Sequence, residues 1–299
     1  MMVHPATVIM AQICDVQNRR NESGFKLTKV GVTGVRKLVH VARPDSESHN
    51  EPLICTIDVF VDLPAEQKGS HMSRNLEVIR EIVTESTSNP VTGIEDLAAD
   101  IRKLLLKKHE YATTANVNIE AEYFKGSVTP HGKSTTEVYK LIGQAVNTRG
   151  KKLDKTLGVQ CIGMTACPCA QENVAETLGC SKEWPVITHN QRNVCTVIMT
   201  MDENDVVEAD DLIDIVNSSF SSPTFELLKR DDEAAVVINA HTNPRFVEDM
   251  VRIVLKKIVD KYPKLPDDVE ITIRSESEES IHKHNAFAER TALMGELRN

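Results

Sequence analysis

In the stretch LICTIDVFVDL (53–63) two sets of residues alternate at every step. Leu53, Cys55, Ile57, Val59 and Val61 form one set, and Ile54, Thr56, Asp58, Phe60 and Asp62 the other. Successive side chains of an extended chain point to opposite faces, so this alternation predicts a strand with one buried face and one more open face. VNIEAEYF (117–124) repeats the pattern with Val117, Ile119, Ala121 and Tyr123. Between the two the period changes. Met72, Leu76, Ile79 and Val83 share a stripe behind Ser73 as N-cap and predict a helix over 73–85. Ile94, Leu97, Ile101, Leu104 and Leu105 predict another over 94–108. Strands with one apolar face need a covering layer, which points to an antiparallel sheet with helices on one side.

The second half follows a similar order. KTLGVQCIGMTA (155–166) and RNVCTVIMTMD (192–202) predict strands, and DVEITIRSES (268–277) a closing strand. DDLIDIVNSSF (210–220) and NPRFVEDMVRIVLKKIVDKY (243–262) predict helices. In the longer one Pro244 suits the first turn, and Phe246, Met250, Val251, Val254, Leu255 and Ile258 form the stripe. VGVTGVRKLVHV (30–41) predicts a strand, or two broken at Gly34. DSESHNE (45–51) predicts an exposed loop, and 125–136 a polar connection. The class is therefore α+β.

Composition narrows the function classes. With 40% hydrophobic residues the chain can bury a core, unlike a disordered one, and 13 Gly in 299 residues exclude a collagen-like repeat. The 44 acidic residues outweigh 35 Lys plus Arg, for a formal charge of -9. That balance argues against a generic nucleic-acid or anionic-membrane surface. No apolar run reaches the roughly 20 residues of a membrane span. MMVHPATVIMAQIC at the N-terminus has no preceding basic residue and no small-residue cleavage signal, so it reads as mature chain. Seven Cys, two of them in Cys167-Pro168-Cys169, point to reduced thiols and a cytoplasmic location, not a disulfide framework.

A few segments carry chemistry. GMTACPCAQEN (163–173) offers Cys167 and Cys169, which share a side if the backbone is extended, and THNQRNV (188–194) offers His189. Thiolate and imidazole hold Zn or Fe; the plainer alternative is two small thiols at a strand end and a surface His. In LLKRDDE (227–233), Lys229, Arg230 and Glu233 read equally as a solvated charged turn. Glu248 lies near the start of an apolar-striped helix, where a carboxylate also serves as a cap. SIHKHNAFA (280–288) brings His282 and His284 at period 2, as ligands or as paired surface His. His71 and Arg74, in KGSHMSRN (68–75), precede a helix whose amides suit an anion. Together, Cys, His, Glu and His from distant positions can build one metal centre with an open coordination position. Such a centre suits hydrolysis, because a bound ion lowers the pKa of water toward neutrality.

These segments also carry a family resemblance. It rests on GVTGVRKLV (31–39), DVFVDLPAEQKGSHMSRNLEVI (58–79), GMTACPCAQE (163–172), HNQR (189–192), LLKRDDE (227–233), NPRFVEDMVR (243–252) and ESIHKHNAFA (279–288). Through them the chain resembles, over nearly its whole length, the prokaryotic type IB GTP cyclohydrolases, and within them the archaeal MptA-type branch. The resemblance implies a tunnelling fold (T-fold) with two ββαα-type modules per subunit, here 1–150 and 151–299, with antiparallel sheets and helices on one face. It implies a homo-oligomer, dimer or tetramer, with active sites between subunits. GTP would be the substrate, its imidazole ring opened at carbon 8 with release of formate. In the archaeal branch the products would be 7,8-dihydroneopterin 2′,3′-cyclic phosphate and diphosphate, feeding tetrahydromethanopterin synthesis. The implied cofactor is Fe(II), with Zn or Mn possible in its place; a mixed S, N and O donor set does not itself choose among them.

Carried onto this sequence, the resemblance assigns the metal to Cys167 or Cys169, His189, Glu233 and one of His282 and His284, with His282 favoured. It assigns Glu248 to the guanine edge, and gives proton transfer to a Cys not used as ligand or to His71. Lys68, Arg74, Arg192, Lys229 and Arg230 are the candidates for the triphosphate. Two departures from the bacterial pattern lean toward the archaeal branch. Cys169 and His189 stand 20 positions apart, and His241-Thr242 stands before Phe246 where a Tyr is usual. Three other readings compete. A bacterial-type reaction would keep the triphosphate as dihydroneopterin triphosphate. A non-enzymatic metal or thiol-redox protein would use Cys167 and Cys169 without turning over GTP. A pterin-binding relative would keep Glu248 and need no full metal set.

Overall fold

The computed structural model describes residues 15–42, 52–179 and 185–298. The N-terminal stretch 1–14 and the DSESHNE segment (45–51) lie outside the described residues. β1 (Leu27–Val39) and β2 (Leu53–Leu63) lead into α1 (Met72–Ser86) and α2 (Ile94–Lys108), then β3 (Thr114–Val128), β4 (Ser134–Thr148) and β5 (Asp154–Ala166). There follow α3 (Pro168–Leu178), β6 (Asn190–Asp202), α4 (Ala209–Asn217), the short β7 (Ser222–Pro223) and α5 (Arg230–Thr242). The chain closes with α6 (Val247–Lys261), β8 (Glu270–Glu278), β9 (Ala286–Leu293) and α7 (Met294–Leu297). The strands form one antiparallel nine-stranded sheet in the order β1-β2-β3-β4-β5-β6-β8-β9, with β7 paired to β5.

This sheet corrects the expected tunnelling fold of two ββαα-type modules. β4 and β5 pair from Lys140↔Gln160 to Val146↔Asp154, so no edge separates the two halves of the chain. Gly150 lies in the tight turn between those strands, with φ 79. The reason is β4, which the alternation did not reveal. Its inward positions include Gly143 and Ala145 beside Tyr139 and Leu141, so its apolar signal is weak. Yet it pairs with β3 along its whole length and with β5 on its other side. Once β4, α3, α5 and β9 are counted, strand–helix–helix–strand is no longer the repeating unit.

The core follows the sequence periods. Leu53, Cys55, Ile57, Val59 and Val61 are buried, and Ile57 faces Ile119 while Val59 faces Val117 across the β2–β3 ladder. Ile94, Leu97, Ala98, Ile101 and Leu105 of α2 pack onto this layer. Gly143 permits that approach, since a Cβ there would lie 2.6 Å from the Ile94 carbonyl oxygen. Gly34, at φ 70, sits in a register shift of β1, so the strand bends there without ending. α6 buries Met250, Val251, Val254, Leu255 and Ile258, but Phe246 is its exposed N-cap and not part of the stripe. In α1 the N-cap is His71, not Ser73, and Met72 and Leu76 are exposed. Asn75 turns inward instead, because its Oδ1 bonds Nε2 of the buried His109 at 2.8 Å.

The strands give the molecule two ends. Leu63, Thr114, Thr148 and Asp154 mark one; Val128, Ser134, Ala166 and Asn190 mark the other. On the sheet face opposite the core, Ile54, Phe124, Val138, Val146 and Ile162 stand exposed.

Candidate functional site

β5 stops at Ala166, paired with Asn190, so the next residues out, Cys167 and His189, are neighbours. The Cys167 N–H donates to the His189 carbonyl at 3.0 Å, and Thr188 Oγ1 donates to the Cys167 carbonyl at 2.7 Å. The Cys-Pro-Cys segment is not extended. Pro168 opens α3, and Cys167 is its N-cap, with Sγ accepting from the Ala170 N–H at 3.4 Å. The thiols are therefore set by helix geometry, with Cys167 half-buried and Cys169 exposed.

His189 Nδ1 lies 3.0 Å from Gln191 Oε1 and 3.6 Å from Glu279 Oε2. The His282 ring meets the His189 ring edge-on with centroids 6.4 Å apart, and His284 stacks on His282 at 5.1 Å. Gln171 of α3 donates to the Val186 and His241 carbonyls, tying the end of α5 to this cluster. The Arg245 N–H donates to the Ala166 carbonyl at 2.9 Å and brings the start of α6 alongside. There Asp249, not Glu248, provides the cap, accepting from the Phe246 N–H at 3.0 Å. Glu248 is exposed, and among the described residues its carboxylate has no hydrogen bond or ion pair.

The remaining candidates lie further off. Lys229 is the N-cap of α5, and Arg230 and Glu233 are exposed in its first turn. Asp232 between them is buried and fastens α5 to the β3–β4 hairpin through the His131 N–H at 2.9 Å and Lys133 Nζ at 3.3 Å. Burial pushes its pKa up, but these bonds and those from Thr129 and Lys229 outweigh it and hold the group at about 2. Glu233 stands about 12 Å along α5 from His241, the residue that touches Thr188. Arg192 projects from the exposed side of β6. Lys68, His71 and Arg74 sit at the other end of the sheet. There His71 Nε2 is 3.1 Å from Asp15 and its buried Nδ1 has no hydrogen-bond partner among the described residues, while Arg74 donates to the Lys108 carbonyl at 3.2 Å. Burial first, then Arg74 and His71, push the nearby His109 down to about 4, so it is neutral.

Among the described residues no three His, Cys, Asp or Glu side chains stand ready to hold an ion. The donor chemistry nevertheless fits one. Cys167 and His189 are bonded neighbours through their backbones, the His282 ring adjoins His189 with His284 stacked on it, and His189 Nε2 makes no hydrogen bond among the described residues. The structure thus unites Cys167, Cys169, His189, His282, His284 and Glu248 at one end, and leaves Glu233 at the rim and His71 and Arg74 apart. Sequence reasoning missed Gln191 and Glu279. A signal existed for the first: the face of β6 that carries Cys195, Val197 and Met199 begins with the polar Gln191 and Asn193.

A family model described as type I GTP cyclohydrolase FolE2 matches residues 13–288. The chain belongs to this family. Its activity class is accordingly that of a GTP cyclohydrolase. A protein of Methanocella arvoryzae named GTP cyclohydrolase MptA 1 is 45% identical, over 96% of each chain. Proteins named GTP cyclohydrolase MptA from Methanosphaera stadtmanae and Methanothermobacter thermautotrophicus are each 42% identical, over 97% of this chain and 98% and 96% of theirs. Among solved structures, a uricase from Bacillus fastidious is similar with a TM-score of 0.51, 11% identity, 91% of this chain and 95% of that chain covered. At that identity the likeness concerns the fold alone, and it agrees with the single continuous sheet in place of two ββαα modules. No helix among the described residues of this FolE2-family chain is long and apolar enough to cross a membrane.

Proposed function

We propose that this FolE2-family chain opens the imidazole ring of GTP with the help of a divalent metal, Fe(II) or, in its place, Zn or Mn. Formate leaves, and the products are 7,8-dihydroneopterin 2′,3′-cyclic phosphate and diphosphate for tetrahydromethanopterin synthesis. The observation that supports the reading is that Cys167 and His189 pair beyond the end of β5, the His282 ring adjoins His189, and Arg245 ties the start of α6, the helix of Glu248, to the same end. Cys167, His189 and one of His282 and His284 would hold the ion, and Glu233, at the rim within one subunit, is the fourth donor that the family resemblance supplies. When bound, it supplies Lewis acidity and brings the pKa of water toward neutrality. Glu248 accepts hydrogen bonds from the guanine N–H edge; charged bonds to a planar edge fix both register and distance. A thiol not used as ligand, or His71, passes a proton to the departing ring nitrogen. Arg192, Lys229 and Arg230 face the triphosphate.

His71 and Arg74 enter only through a second copy. The 13 residues of β5 separate their end of the sheet from Cys167 by roughly 40 Å. The exposed apolar side chains on the open sheet face, among them Phe124 and Val138, also suit cover by another subunit. Both points support a homo-oligomer, dimer or tetramer, with sites between subunits.

Mass spectrometry of the anaerobic reaction with Fe(II) and GTP tests the product. The cyclic phosphate with diphosphate is expected; a retained triphosphate would overturn the product assignment. Glu248→Ala should cost at least 100-fold in kcat/KM, the equivalent of about 3 kcal/mol. Unchanged activity in that variant would remove Glu248 from guanine binding.

A further inference from the structure

The inward face of β6 is apolar at Cys195, Val197 and Met199, but Gln191 and Asn193 take the same face near its start. Around them Thr165 of β5 and Ser275 and Ser277 of β8 are buried as well, Thr165 and Asn193 with no exposure at all. Five polar side chains in a closed layer are costly unless each is bonded. They bond one another. Gln191 Nε2 donates to Thr165 Oγ1 at 3.4 Å, and the Thr165 and Ser277 hydroxyls bond at 3.0 Å. Asn193 Nδ2 donates to Ser277 Oγ at 2.7 Å and Ser275 Oγ at 2.9 Å, and the Ser275 hydroxyl donates back to Asn193 Oδ1 at 3.1 Å.

The chain ends at His189, where Gln191 Oε1 lies 3.0 Å from Nδ1. Hydroxyls rotate, so Thr165 and Ser277 would accept either orientation of the Gln191 amide. Glu279 removes that freedom. Its Oε2 is 3.6 Å from the same Nδ1, too long for a hydrogen bond but close enough to repel a lone pair there. Two acceptors thus face Nδ1, Gln191 Oε1 and the Glu279 carboxylate, an arrangement that favours a proton on Nδ1 and a lone pair on Nε2.

We propose that Gln191 is a positioning residue: held in place by the buried Thr165–Ser277–Asn193–Ser275 network and flanked by Glu279, it keeps His189 in the Nδ1–H tautomer, so that Nε2 is the atom offered to a divalent cation. The proposal rests on the metal reading above, and adds which nitrogen binds and what enforces it. A ligating imidazole that donates its other N–H to a fixed acceptor is oriented and made more basic, and loss of such a partner costs 10–100-fold in metal affinity. A network that merely filled space would leave the tautomer free.

The test uses the full-length, metal-free protein with ¹⁵N-labelled His, the His189 signals being assigned by their absence in His189→Gln. Wild type is expected to show the proton on Nδ1. Gln191→Met, of similar volume with no oxygen, should shift the signals toward the Nε2–H form and weaken Zn²⁺ binding in chelator competition by 10–100-fold. Gln191→Glu, which restores an acceptor, should recover most of that loss. A proton on Nε2 in wild type overturns the proposal, and needs no variant to fold. So does Gln191→Met with both tautomer and Zn²⁺ affinity unchanged. Wild type with the Nδ1–H form that takes up no Zn²⁺ supports the tautomer lock and overturns the metal reading alone.

Discussion

Asp62 offers a calibrated perturbation. It is the last residue but one of β2, and its buried carboxylate accepts the Thr113 N–H at 2.7 Å and the Thr114 N–H at 2.8 Å on one oxygen. The other oxygen meets Thr113 Oγ1 and, at 2.8 Å, Lys26. Burial raises its pKa, but the bonds from Lys26, Thr113 and Thr114 outweigh it and bring the value from 3.8 to about 2. That difference corresponds to about 2 kcal/mol at most. Lys26 is 55% exposed, so solvent screening reduces the figure to about 1–2 kcal/mol. Asp62→Asn keeps the amide-accepting oxygen and should lose this charge-dependent part. Asp62→Ala strands two backbone N–H groups at about 1–3 kcal/mol each, for roughly 2–6 kcal/mol in all. Because the folded pKa is depressed, the charge contribution is complete above the unfolded value and fades as pH falls toward 2. Urea unfolding at pH 5 and pH 3 should therefore show the gap between wild type and Asp62→Asn shrink by about 1 kcal/mol. A gap that stays constant, or an Ala variant no weaker than Asn, would refute this account of the β2–β3 junction.

Other outcomes follow from the same geometry. His109 is held neutral, with its folded value near 4 and below the ordinary 6.5, so protonation favours the unfolded chain. Stability should fall as pH drops from 6.5 to 4, and His109→Gln should flatten that slope in urea titrations. Cys167→Ser keeps an N-cap oxygen at the start of α3, so its Tm should match or exceed wild type while Zn²⁺ uptake falls. Zn²⁺ uptake unchanged in this variant would mean that the thiol is only a cap.

Much of the scaffold was legible in single segments. The alternation at 53–63 marks β2 to the residue, and the Ile94, Leu97, Ile101, Leu105 stripe marks α2. α5 was hidden because its buried face is Asp232, Val236 and Ala240, which has too little apolar character to show a stripe. α3 goes unpredicted, although Pro168 at its first turn and Gly179 in the left-handed region at its end are helix signals. The shared side expected of Cys167 and Cys169 holds only for an extended backbone, which this segment does not adopt. The site was legible in residue type but not in arrangement. Cys167 meets His189 because the β5–β6 register pairs Ala166 with Asn190, a long-range fact no local pattern records. Glu279 and Gln191 escaped notice because their role depends on a distance to His189 Nδ1, not on their own chemistry.

The most direct measurement follows labelled formate from GTP carrying ¹³C at carbon 8, under anaerobic conditions. The account predicts one formate per GTP consumed by Fe(II)-loaded wild type, and none above background from the metal-free protein or from His189→Ala. Equal formate release with and without metal, or from His189→Ala loaded with Fe(II), would contradict it.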